Sequence, residues 1–239
     1  MWLLDAKGKA SKIAEGGPTI TSWSPDGRRI GYYRAVPGTD TFESNVVDVV
    51  SKEVTKLKLP AEYVAEDWHP SRDVRTAIYM NSRNNLYREK KGDRYPTRQL
   101  DLVDAGGKRT PLTKNPSTDN IWSRFSPAGD RIAHYQRWLV GEKSYEAAAV
   151  CNADGTNPRV VLVFTEQGDA EGLPWFRPNN VPAWSPDGKT LAWLVSQNKV
   201  IGDQGRDLQL VFVDADGGNF RRISLTDLGY AVVGSIDWR

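Results

Sequence analysis

One cysteine, two methionines and two histidines are all that this chain of 239 residues contains of the side chains that most often bind metals or carry redox chemistry. The lone Cys151 excludes an internal disulfide and forms no Cys-x-x-Cys pair. Charge of one sign is also missing: 32 basic against 30 acidic residues leave +2, too little for the whole chain to act as a polyanion binder. Residues 2–4 (WLL) are the only apolar residues before Asp5, which is too short a stretch for a secretory leader. No run approaches the ~20 apolar residues of a membrane-spanning helix. Neither G-x-S-x-G, nor a P-loop, nor H-E-x-x-H occurs, so catalysis within this chain is the minor expectation.

What the chain does have is a repeated turn. WSPDG at 23–27 returns as WHPSRD at 68–73, FSPAGD at 125–130 and WSPDG at 184–188, and a last Trp238 stands next to the end. In each, an aromatic ends one apolar run, Pro fixes φ, Asp or Gly completes the turn and a second apolar run leaves it. A second turn alternates with the first, at Asp5, Asp48, Asp104, Asn152 and Asp214, mostly with Gly beside it. Asp, Asn and Gly tolerate φ > 0 and close tight hairpins. Interleaving the two hairpins gives four strands per repeat, here a to d. The anchors Trp23, Trp68, Phe125, Trp184 and Trp238 lie 45, 57, 59 and 54 residues apart, the period of propeller blades.

The predicted fold class is therefore all-β, a single β-propeller domain over 1–239. Repeats fall at about 18–59, 60–115, 116–174 and 175–225. A fifth, composite blade combines 226–239 with 1–17, so that the C-terminal strand closes the ring against the N-terminal hairpin and removes two exposed edges. A start inside a longer reading frame would raise the count to six. WSPDG followed by an I-A-x-aromatic strand, then VDADG and an R-R-I strand, resembles the TolB-type repeat, also called the WD40-like or PD40 repeat, over essentially the whole chain. That resemblance implies a ring of four-stranded blades, an extracytoplasmic setting and a protein partner. TolB-type proteins carry an α/β domain ahead of the propeller, and this sequence has none.

Several residues invite chemistry. VDADGGN at 213–219 begins like a calcium loop but lacks its third acidic ligand and its closing Glu, and hairpin turns account for the same residues in every repeat. No metal or cofactor is expected. His69 stands where the other turns have Ser, and His134 falls in line with Tyr32, Ile78 and Trp193 on strand b, a packing position. Cys151 reads as a buried structural thiol, and the anchor aromatics as wedges between blades.

The a-to-b and c-to-d turns are short and uniform. The opposite connections vary: 34–45, 81–98, 136–145, 164–181 and 196–207. Variable loops on a constant scaffold are where binding resides. The residues expected to make contacts are Trp175, Phe176 and Arg177 in one such loop, Arg137 and Trp138 in another, and Glu66, Asp67, Asp119 and Arg124 on strand a, near the opening of the ring. Residues 83–98, with six basic and two acidic residues plus Tyr87 and Tyr95, have the composition of a nucleic-acid contact but read more simply as a solvated loop. The expected function is a non-catalytic, monomeric scaffold that binds a protein or peptide. The alternative is the substrate-gating propeller of a larger enzyme, such as a prolyl oligopeptidase-type serine peptidase. A lyase or hydrolase acting through the central channel would have only Glu66, Asp67 and Asp119 to work with.

Overall fold

In a computed structural model, residues 2–4, 7–13, 21–39, 41–60, 63–79, 98–115, 117–140, 143–164, 176–178, 181–201, 205–225 and 238 are described. Every regular element among them is a β-strand. The chain divides into two compact units, Met1–Pro111 and Leu112–Arg239.

The first unit opens with a hairpin of β1 (Trp2–Leu4) and β2 (Ala10–Lys12). A four-stranded antiparallel sheet follows, made of β3 (Thr21–Trp23), β4 (Arg29–Ala35), β5 (Phe42–Asp48) and β6 (Val54–Lys56) in chain order. The second sheet repeats the pattern with β7 (Tyr63–Trp68), β8 (Val74–Tyr79), β9 (Leu100–Asp104) and β10 (Arg109–Pro111). The second unit holds a third sheet, β11 (Thr118–Phe125), β12 (Arg131–Val140), β13 (Lys143–Asn152) and β14 (Arg159–Val163). In the fourth sheet, β15 (Phe176–Pro178) and β16 (Ala183–Trp184) both pair with β17 (Thr190–Ile201), which is followed by β18 (Gly205–Asp214) and β19 (Arg221–Ser224). Four sheets of the expected a-b-c-d order are thus in place. The hairpin expected at the start of the composite fifth blade is β1–β2, while 226–237 lie outside the described residues.

Both turns form for the reasons the sequence suggests. Ser24 Oγ accepts from the Arg29 amide at 2.9 Å, Ser126 Oγ from Arg131 at 3.1 Å and Ser185 Oγ from Thr190 at 2.9 Å. Each hydroxyl donates to a turn carboxylate: Asp26, Asp130 or Asp187. In the second sheet His69 Nδ1 does the same work, accepting from the amides of Ser71 and Arg72 at 3.1 Å each. The Gly of the c-to-d turn does more than turn. Gly107 (φ 87°) and Gly155 (φ 81°) sit so close to backbone earlier in their own units that a Cβ would lie 2.5 Å from the Lys58 carbonyl oxygen and 2.4 Å from that of Leu112. Only glycine allows both the left-handed backbone and this approach.

Trp68, Phe125 and Trp184 are 4–5% exposed, and Trp68 and Trp184 rest on the sheet before them. Trp68 lies between Arg75 of its own sheet, 4.2 Å from the ring centroid, and Arg29 of the preceding sheet at 5.5 Å. Trp184 lies under Arg131, 5.2 Å away, and its Nε1 donates to the Arg124 carbonyl at 3.1 Å. Trp23 departs from the expectation, with 41% of its surface exposed. The hairpin before it offers two described strands where Trp68 and Trp184 each have a full four-stranded sheet before them. Trp238 is also partly exposed, with its ring edge-on to Phe212 at 5.7 Å.

Gly155→Ala should destabilise the protein by roughly 2–4 kcal/mol, because backbone strain adds to the clash with Leu112. Gly27→Ala, at φ 66° with open space around it, should lose only about 1–2 kcal/mol. Urea unfolding of the two variants checks the difference.

Candidate functional site

The a-to-b and c-to-d turns share one end of each sheet, and the b-to-c connections lie at the other. At that second end the expected loops are largely strand. Residues 34–45, 136–145 and 196–207 lie mostly within the hairpins β4–β5, β12–β13 and β17–β18. The reason is the continuous alternation of β-prone residues through YYRAV, HYQRWLV and LAWLVSQNKVI, which sustains pairing well past the body of the sheet. Arg137 and Trp138 are therefore strand residues, paired with Glu146 and Tyr145 respectively. Phe176 and Arg177 likewise belong to β15, paired with Gln197 and Ser196, and do not sit in a loop. Trp175 and residues 81–97 lie outside the described residues.

The third sheet holds four of the nine candidates: Asp119, Arg124, Arg137 and Trp138. Asp119 and Arg137 are direct cross-strand partners, and the Arg137 guanidinium stands 3.8 Å from the Asp119 carboxylate, which is 7% exposed. Beside them, Gln136 Nε2 donates to Asn120 Oδ1 at 3.2 Å, and Asn120 Nδ2 donates to Thr118 Oγ1 at 3.0 Å. On the next step of β12, Trp138 stacks on Tyr145 with centroids 5.5 Å apart and planes at 10°. Beyond this pair the hairpin continues as an arm with no described strand paired to it on either side. Thr118 is the last β11 residue in register with β12, and Val163 pairs back only as far as Ala147 on β13. Leu139 and Val140, at the end of the arm, are 50% and 60% exposed.

Strand a is bulged in the same place in both units. Register slips between Ala65 and Trp68 on β7, where Glu66 and Asp67 sit, and between Ile121 and Arg124 on β11. A bulge re-aims side chains. On β11 it holds Trp122 at φ 55°, a strained conformation for a bulky residue, with its ring 5.2 Å from Tyr135. Glu66 and Asp67 are buried in the first unit, whereas Asp119 and Arg124 lie in the second. Tyr145, Glu146, Trp122 and Asn120 are members of the third-sheet cluster that sequence reading missed. The signal for the first two was the register of the hairpin itself, which sets them opposite Trp138 and Arg137.

The chain is similar in structure to TolB from Acinetobacter baumannii, with a TM-score of 0.62 at 17% identity over 92% of this chain and 46% of that one. The fold is a TolB-like β-propeller. This propeller also superposes on oligogalacturonate lyase in complex with manganese, with a TM-score of 0.54 at 21% identity over 92% of this chain and 57% of that one. A Mycobacterium tuberculosis puromycin-hydrolyzing peptidase gives 0.56 at 16% identity, over 87% of this chain and 32% of that one. The chain thus spans about half the length of the first two and about a third of the peptidase. No family model and no curated protein matches it.

Within the propeller the reactive residue types have structural positions. Cys151 pairs with Ile132 in the core, and burial pushes its thiol up to about 12. Arg75 stands opposite the anchor Trp68, where the other sheets have Ile30, Ile132 and Leu191, and burial lowers it to about 10. This register puts Ala77, not Ile78, in the row of Tyr32, His134 and Trp193. Among the described residues no cluster of three His, Cys, Asp or Glu is arranged to hold a metal.

His134 is 1% exposed, its Nδ1 has no hydrogen-bond partner, and burial depresses it to about 4. Because the folded state refuses a proton that the unfolded chain accepts near pH 6.5, stability should fall as pH drops from about 6.5 to about 4, then level off. The loss is on the order of 3 kcal/mol. His134→Leu should remove this segment of the stability–pH curve, measured by urea unfolding from pH 7 to 4.

Proposed function

We propose that this propeller is a non-catalytic binding module that takes a protein or peptide partner at the b-to-c end of its sheets, with the arm of β12 and β13 as the principal contact. The observation that carries this reading is the arm itself. It projects past both flanking strands, is stiffened by the Trp138–Tyr145 stack and ends in exposed Leu139 and Val140. Aromatic and Arg side chains supply most of the binding energy at protein interfaces, and two-sided exposure of aliphatic residues on a stiff hairpin favours burial against a partner. Arg137 belongs to the same surface, steadied by Asp119. On this reading Trp175, Phe176 and Arg177 contribute from the fourth repeat and Arg124 borders the contact along β11, while Glu66 and Asp67, on strand a of the first unit, are binding residues of that unit. Residues 1–239 act as one propeller domain, and the composite fifth blade closes it.

A second reading is favoured by one observation, the match to about a third of a hydrolysing peptidase. There the propeller is one part of a larger enzyme and filters its substrates. A neighbouring coding segment with a nucleophile elbow would support that version.

Affinity capture from the native source separates binding by the arm from other modes. The Leu139→Ser, Val140→Ser double variant should recover the partner at least about tenfold less well than the parent chain, with an unchanged melting temperature because both residues are exposed. Trp175→Ala with Arg177→Ala should weaken capture in the same direction. Equal recovery by parent and variants would reject the arm as the contact.

A further inference from the structure

The turn between β7 and β8 closes differently from its three counterparts. Gly27, Gly129 and Gly188 carry those turns through the left-handed region at φ 66°, 74° and 67°, and the serine hydroxyl of each is held by Asp26, Asp130 or Asp187. In HPSRD, Arg72 stands in the glycine's place without entering that region, and Ser71 stands where both WSPDG copies have Asp. The His69 amide still donates to the Val74 carbonyl at 2.9 Å. Inside that frame the turn is held by the His69 ring, 3% exposed, whose Nδ1 accepts from the amides of both Ser71 and Arg72.

A neutral imidazole has one acceptor nitrogen. With Nδ1 taken by two amides, the ring's proton resides on Nε2, 2.9 Å from Arg72 Nε. A second proton can enter only at Nδ1, between those amides, and there it converts the acceptor of both bonds into a donor. It also sets a positive ring beside the Arg72 guanidinium. Further charged groups around the turn are Asp67 on β7, Asp73, which accepts from Trp68 Nε1 at 3.4 Å and from Arg75 at 3.2 Å, and Arg29 of β4 over the Trp68 ring. The serine caps of the other turns do not titrate in this range. The Ser24 and Ser185 hydroxyls hold the carboxyls of Asp26 and Asp187 below the usual carboxylate range, so those caps persist in mild acid.

We propose that His69 makes the first unit acid-responsive: protonation at Nδ1 opens the turn between β7 and β8, draws Asp73 away from Trp68 and Arg75, and loosens the seat of the Trp68 indole on Arg29 and Gly31 of the first sheet. The three serine-capped turns stay closed, and return to neutral pH closes the fourth again. This device is separate from the β12–β13 arm and stands or falls independently of it.

Amide hydrogen exchange of the full chain, resolved residue by residue by NMR and corrected for the intrinsic pH dependence of exchange, tests this between pH 7 and about pH 5. The Ser71 and Arg72 amides should lose about tenfold or more of their protection over that range, while those of Arg29, Arg131 and Thr190 keep theirs. His134 lies in the second unit, so a loss of stability on its account shows at Arg131 and Thr190 as well. His69→Asn, whose side-chain oxygen accepts at every pH in the range, and His69→Ser, the residue of the other turns, should each hold the protection of residues 71 and 72 level; one folded variant is enough. Protection that is flat in the parent chain overturns the proposal. So does a fall shared equally by the serine-capped turns, or one that persists in a folded variant.

Discussion

The contact on which the rest depends is that of an anchor aromatic with the sheet before it. A sheet of two- to twelve-residue strands has two broad apolar faces and cannot bury either alone. The indole of Trp68 closes the gap to the first sheet by resting on Gly31 and Arg29, and that of Trp184 does so by resting under Arg131 with its ring nitrogen on the Arg124 carbonyl. An indole buries roughly 150–250 Å², so each wedge carries a large share of the apolar contact between neighbours. The flanking arginines satisfy the polar rim of the same contact without placing an unpaired charge in the core. Arg131 reaches the Gly188 carbonyl as well.

The fold was legible in the sequence because the same residues recur for the same physical reasons. Serine or its stand-in His69 caps the first turn, Asp or Asn with Gly makes the second, and the aromatic marks the end of strand a. These signals are local and repeat every 45 to 59 residues, so noise in one copy is corrected by the others. The site was less legible. Length variation at the b-to-c end reads as loop, because pairing beyond the body of a sheet has no turn signal to bound it. Arg137 and Trp138 stand out in the sequence, but their pairing with Asp119 and Tyr145 is set by cross-strand register, which composition does not reveal. The exposure of Trp23 and the placement of Arg75 opposite Trp68 were invisible for a related reason: both depend on what the neighbouring strand or sheet supplies.

The two ends of each sheet follow different rules. At one end the hydroxyl-capped turn and the glycine turn fix the backbone. At the other, hairpins extend by several residues with little consequence for the body of the sheet. The long hairpin of the third sheet uses that freedom to hold a stacked Trp–Tyr pair and an Arg–Asp pair side by side.

The close approach of Gly107 to Lys58 and of Gly155 to Leu112 has a consequence for how such a molecule assembles. In each case the turn rests on backbone of its own unit laid down about 45 residues earlier in the chain. Docking is then a nearest-neighbour event, and order can spread outward from any one completed sheet in the manner of a zipper.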